Sequence, residues 1–331
     1  MTAAQQPEEN KIAPLSWPEG AELVLENPYD FKPALDALME KVKKIRAELP
    51  DKKIVIAFGE EHDLYAHQRF KAEFVKALAG NYPEQIAYGE ELPSDYGRFT
   101  GEEMAMDTVE EREAYRAWQR DVYLDRPWNS YRDTLSIELT RKLSISMCMN
   151  DVAQVVFSPP PEEGAPEIID EPTYCDLSHK ETYDFIKGLY DEMPDQKELI
   201  RGSYPDAAPM QEGVRISNGF MAKEITKHIR DTGAQTYVQS CGAAHLIGFF
   251  GDGWEQEYGD SLTCKLLHEG HAVIPVLLFD QITEGEYTIP SEGLEALRDN
   301  VVMIRRLRRD MCEDVTPEEE ARYDVAMGPL F

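Results

Sequence analysis

The sequence is poor in cysteine and in positive charge, and it has no long hydrophobic run. Its five cysteines, Cys148, Cys175, Cys241, Cys264 and Cys312, are odd in number and widely scattered, and no Cys-x-x-Cys pair occurs. That argues against a disulfide framework or a cysteine zinc knuckle and fits a reducing compartment. Lysine and arginine together number 34 against 63 aspartates and glutamates, a formal net charge of -29. Such a surface repels phosphate backbones and anionic lipid heads, so no nucleic-acid partner is expected. No apolar stretch has the length to span a bilayer, and no membrane span is expected. The opening residues Met1–Asn10 carry neither a basic start nor an apolar core. No N-terminal secretory signal is therefore expected. A cytoplasmic location fits, and so does secretion into a host cell by a dedicated machine that needs no such signal.

What is present describes a folded body. Hydrophobic residues make up 42% of the 331, enough for one large domain or two small ones. Residues 1–28 hold prolines and scattered charge without periodicity, and read as a flexible arm. Leu35, Leu38, Val42, Ile45 and Leu49 then recur at helical spacing. Ile54–Phe58 is a continuous apolar run of the kind buried on both faces of a parallel sheet. A helix over 64–78 places Phe70, Phe74, Val75 and Leu78 on one side. Further strands are expected near Ile86, Ile145, Tyr237 and Val273, with helices over 131–143, 210–230 and 259–269. Residues 100–125 read as a helical excursion, and 158–172, opening on Ser158-Pro159-Pro160-Pro161, as a loop. Strands alternating with helices predict a three-layer α/β fold, a largely parallel central sheet with helices on both faces. The domain is expected to span 29–310, followed by a charged tail over 311–331.

The residues that carry chemistry fall at strand ends. Two strands end in the same phrase, Gly59-Glu60-Glu61-His62 and Gly242-Ala243-Ala244-His245. Each glycine permits a tight turn off the sheet that presents an imidazole at its edge. Glu90 and Glu91 end another strand, and Asn150 and Asp151 a third. Parallel strands deliver their ends to one side of a sheet, where ligands bind. His62 and His245 are therefore expected to share one pocket with Glu60 and either Glu90 or Glu91. Of the other histidines, His228 reads as solvated on the polar side of its helix. Cys241 lies four residues before His245 and could form a thiolate–imidazole pair, although a free cysteine is more often a small buried hydrophobe.

Taken in order, Gly59–His62, the strand-ending glutamate, Asn218-Gly219-Phe220-Met221-Ala222 and the segment Val238 to Gly248 resemble the erythromycin esterase, ChaN and Tiki (TraB) superfamily. The resemblance covers about two thirds of the chain, from Ile54 to Leu278. It implies that Glu60, His62 and His245 are site residues, with Glu91 preferred over Glu90 as the acid, and Asn150 or Asp151 at a polar position. Members usually carry an arginine four residues before the helix Met-Ala. Here Ser217 holds that place and Arg215 lies two residues earlier, as the candidate anion or oxyanion stabiliser.

The function so implied is hydrolysis of an esterase-like or metallopeptidase-like kind, acting on a small-molecule or peptide substrate. His62 would serve as general base on water, assisted by Glu60. Alternatively His62, His245, Glu91 and Asn150 would hold a divalent metal (manganese, cobalt or zinc) with a position open for water. Two further readings stand beside it. One is a bacterial effector or toxin of the same fold with a host protein partner. The other is a haem- or metal-binding protein without catalysis, for which 16 tyrosines offer axial ligands.

Overall fold

Continuous apolar runs become the central strands, because only there are both faces covered by helices. The computed structural model describes residues 21–62, 64–83, 85–93, 98–99, 134–151, 207–247, 261–280 and 300–331. In chain order the elements are β1 (Glu22–Val24), α1 (Lys32–Glu48), β2 (Ile54–Glu60), α2 (Tyr65–Asn81), β3 (Ile86–Pro93) and β4 (Arg98–Phe99). There follow α3 (Thr134–Lys142), β5 (Ser146–Asp151), α4 (Ala207–Thr232), β6 (Thr236–Gly242) and the short α5 (Ala243–Ile247). The last are α6 (Leu262–His268), β7 (Ala272–Asp280), β8 (Val302–Leu307) and α7 (Pro317–Met327).

The described strands form one sheet in the order β1-β8-β7-β2-β6-β3-β5-β4. Every neighbouring pair is parallel except β4 against β5. Alternation along β2 divides the core in two. Ile54, Ile56 and Phe58 face a layer holding Leu38 and Val42 of α1, Phe70 and Phe74 of α2, and Ile137 of α3. Val55 and Ala57 face the other layer, with Met221 and Ile225 of α4, Leu246 of α5 and Leu266 of α6. This is the expected three-layer α/β fold. Register pairs Glu60 with Gly242 and Glu90 with Ser240, so the carboxyl ends of β2, β6 and β3 lie side by side.

Several boundaries differ from the sequence reading. The arm over 1–28 is not irregular throughout, since Glu22–Val24 forms β1 against β8. Three residues are too few to give a periodic signal. Leu49 is the C-cap of α1 and 43% exposed, so it leaves the buried stripe. The tail contains α7, opened by a capping box between Thr316 and Glu319 and anchored by buried Tyr323. The excursion over 100–125 and the loop over 158–172 lie outside the described residues. Among the described residues, no helix is long and apolar enough to cross a membrane.

Candidate functional site

β2 carries Glu60 at its last position, facing the α2 layer like Phe58 two residues before it. The chain then turns, and His62 folds back so that its Nδ1 lies 3.1 Å from Glu60 Oε1. The turn is pinned from below, because the Glu61 N–H donates to Nδ1 of His67 on α2 at 3.2 Å. Burial pushes His67 down to about 3, so it remains a neutral acceptor. Glu61 itself points away toward Arg309, which reaches its Oε1 at 2.8 Å and the wholly buried Asp280 at 2.5 Å.

β3 continues past its acidic pair, although its register against β5 shifts between Glu90 and Pro93, and the two adjacent carboxylates find different partners. Glu90 is buried and accepts the Tyr88 hydroxyl at 2.5 Å. Glu91 emerges between the two histidines. Its Oε1 is 3.2 Å from His245 Nε2, and its Oε2 is 3.8 Å from His62 Nε2. The N–H of Gly242 donates to the same Oε2 at 2.6 Å. The approach is close at Gly242: a Cβ there would sit 3.2 Å from His62 Nε2, so the imidazole would have to give by a few tenths of an ångström. The two imidazoles of the repeated phrase therefore meet on one carboxylate, although 183 positions separate them (245 minus 62).

His245 lies on α5 and is buried, with its Nδ1 2.7 Å from Asn218 Oδ1 on α4. An amide oxygen accepts, so that ring nitrogen carries its proton. His62 is the more open of the pair, its side chain 30% exposed against 9% for His245.

Of the remaining candidates, Asn150 exchanges hydrogen bonds with Gln239 at 2.6 and 3.2 Å, which ties it to β6 rather than to Glu91. Asp151 accepts the Ser217 hydroxyl, which links β5 to α4. Arg215 belongs to α4, and its side chain lies outside the described residues. Cys241 is buried, and its Sγ faces the Phe58 carbonyl at 3.5 Å. Burial, reinforced by Glu91, pushes its thiol well up, the opposite of an activated nucleophile. The solvated reading of His228 is corrected. It is 4% exposed, on the buried stripe with Met221 and Ile225, and its Nδ1 lies 3.3 Å from the Tyr237 hydroxyl.

Among the described residues, no three His, Cys, Asp or Glu side chains are arranged to hold a metal ion. Asn150 is bonded to Gln239 and His245 Nδ1 to Asn218, and His62 Nε2 stays 3.8 Å from Glu91, so the four candidates are not arranged round one point. The divalent-metal set of His62, His245, Glu91 and Asn150 does not fit. Tyrosine ligation of haem from β3 or β6 does not fit either, because Tyr88 and Tyr237 are buried and bonded to Glu90 and His228.

Three groups escaped the sequence reading. Asn218 was visible only as part of a motif, with no sign that it faces His245. Asp280 ends β7 as Glu91 ends its apolar run, and the same rule would have found it. Lys71 is wholly buried on α2, its Nζ 2.5 Å from Glu60 Oε2 and 2.6 Å from Ser240 Oγ. Its signal was available, since Lys71, Phe74, Val75 and Leu78 fall on one helical stripe.

No family model and no curated protein matches this chain. Among solved structures it is similar to ChaN of Campylobacter jejuni, which is described as binding haem cofacially. That similarity has 15% identity and a TM-score of 0.41, over 74% of this chain and 87% of that one. It is also similar to a Bacillus cereus protein at 12% identity and a TM-score of 0.40, over 77% and 72% of the two chains.

Proposed function

We propose that this chain is a hydrolase that activates water at the His62–Glu91–His245 cluster and cleaves an ester or peptide bond without a metal. One observation carries the reading: a single carboxylate, Glu91, stands between two imidazoles held in different ways. His62 has its Nδ1 on Glu60, which turns Nε2 toward Glu91 as the base. His245 and Glu91 share a proton and lie deeper, as the acid. Water gives a proton to His62 Nε2 and its oxygen attacks the carbonyl carbon. The proton shared by His245 and Glu91 then passes to the departing oxygen or nitrogen as the C–O or C–N bond breaks. His62 and the Glu91 pair return to their starting states when the proton on His62 is lost to solvent and the Glu91 pair is reprotonated.

The test is an assay of the purified protein on nitrophenyl esters of graded acyl length and on peptide nitroanilides. Turnover should appear on at least one panel. It should fall about a hundredfold or more in His62→Ala and in Glu91→Gln, with circular dichroism unchanged. Absence of turnover on every substrate, or variants as active as the parent, would overturn the proposal.

A further inference from the structure

We infer that Lys71 is the positioning residue of this site, holding Glu60 as a carboxylate so that His62 carries its proton on Nδ1 and turns Nε2 toward Glu91. The inference rests on the base role proposed for His62, but what it fixes is the address of a ring proton, which can be observed without any substrate.

The helical stripe of α2 calls for an apolar residue at position 71. An ammonium there is costly, because such an ion loses its hydration on burial and only close pairing offsets the loss. Lys71 is 0% exposed, and so is the Glu60 side chain that it meets at 2.5 Å. Ser240, facing the same layer from the adjoining strand β6, accepts a hydrogen bond from the ammonium at 2.6 Å. The ammonium is thus fixed between two strands, and the two oxygens of Glu60 divide their work. Oε2 meets Lys71 and Oε1 meets His62 Nδ1. Cation, carboxylate and imidazole form a line running from the α2 layer to the edge of the sheet.

The chemical consequence follows from what Glu60 would do alone. A carboxyl group this deeply buried needs either an opposing cation or a proton of its own. In the second case its O–H donates to Nδ1, and the neutral ring has to carry its own proton on Nε2. That tautomer cannot accept a proton from water on the Glu91 side. With Lys71 in place Glu60 is an acceptor only, and the ring proton stays on Nδ1. An ion pair that merely held α2 against the sheet would leave the tautomer indifferent to Lys71.

The experiment is a long-range proton–nitrogen correlation spectrum of the full chain labelled with 15N-histidine, at mildly alkaline pH, with His62→Ala used for assignment. The parent should show His62 protonated on Nδ1. Lys71→Met, close in volume, should move most of the population to Nε2–H, and Lys71→Arg should restore Nδ1–H. Should Lys71→Met not fold, the double variant Lys71→Met with Glu60→Gln removes both buried charges at once. Its amide can donate or accept, so its His62 should show a mixture of both tautomers. An Nε2–H ring in the parent, or an unchanged Nδ1–H ring in folded Lys71→Met or in the double variant, would overturn the inference. A parent that hydrolyses nothing yet shows the Nδ1–H ring would sink the hydrolase reading and leave the role of Lys71 standing.

Discussion

At the scale of the residue, the turn that presents His62 depends on another histidine staying neutral. His67 accepts the Glu61 N–H through Nδ1, and burial holds it down at about 3 against an ordinary 6.5, with Asp280 opposing less strongly. In the unfolded chain the same ring protonates as pH falls below 6.5. Between 6.5 and about 3 the unfolded state therefore binds more protons than the folded one, and stability must fall as pH falls through that window. Above 6.5 both states are neutral at this position and the contribution is constant. His67→Asn keeps an acceptor at the Nδ1 position for the Glu61 N–H but cannot titrate. Thermal melts on the acid side of neutrality should show a shallower loss of melting temperature in His67→Asn than in the parent. Parallel slopes for the two proteins would place the acid sensitivity elsewhere.

At the scale of the element, β3 is fitted to its neighbours by a glycine. A Cβ on Gly89 would fall 2.3 Å from the Tyr237 hydroxyl and 2.5 Å from both Asn150 Nδ2 and Gln239 Oε1, so a buried hydrogen-bonded group would have to move. Gly89→Ala should cost about 1–3 kcal/mol or more, read as a lower urea midpoint. Gly80, on the exposed side of α2 with nothing within 4 Å of an added Cβ, is the control. Gly80→Ala should be neutral or stabilise by up to about 1 kcal/mol through helix propensity. Equal midpoints for the two variants would show that β3 can shift to accept the methyl. The elements legible in the sequence were those with a strong period. Ile54–Phe58 and Ala272–Phe279 are apolar without interruption, and the strands they mark lie at the centre of the sheet. Strand β8 was missed because Arg305 and Arg306 break its run, and Arg306 takes a φ of 67° that no periodicity encodes. The same contrast holds at the site. The phrases ending in His62 and His245 announced themselves, whereas Lys71 and Asn218 matter through partners on other elements, a pairing that only the register of β2 and β6 and the packing of α2 and α4 create.

At the scale of the whole molecule, charge is the dominant asymmetry. The excess of 63 acidic over 34 basic side chains leaves -29 on a chain of 331 residues. Self-repulsion of that excess opposes the compact state. Attractive pairs work the other way, and their placement decides the sum. Lys32–Asp36, Lys43–Glu40 and Lys44–Glu48 are exposed on both sides, and pairs of that kind contribute little. Lys71–Glu60 and Arg69–Glu73 are buried and only weakly reached by added ions. Salt therefore removes more repulsion than attraction. Raising sodium chloride from about 0.01 M to about 0.1 M shortens the screening length from about 30 Å to about 10 Å. The melting temperature should rise over that range and flatten beyond it. Sodium chloride is the salt to use, because sulfate stabilises folded proteins through its exclusion from their surfaces whatever their charge. A melting temperature that fell with added chloride would mean that exposed ion pairs outweigh the net repulsion of the acidic excess.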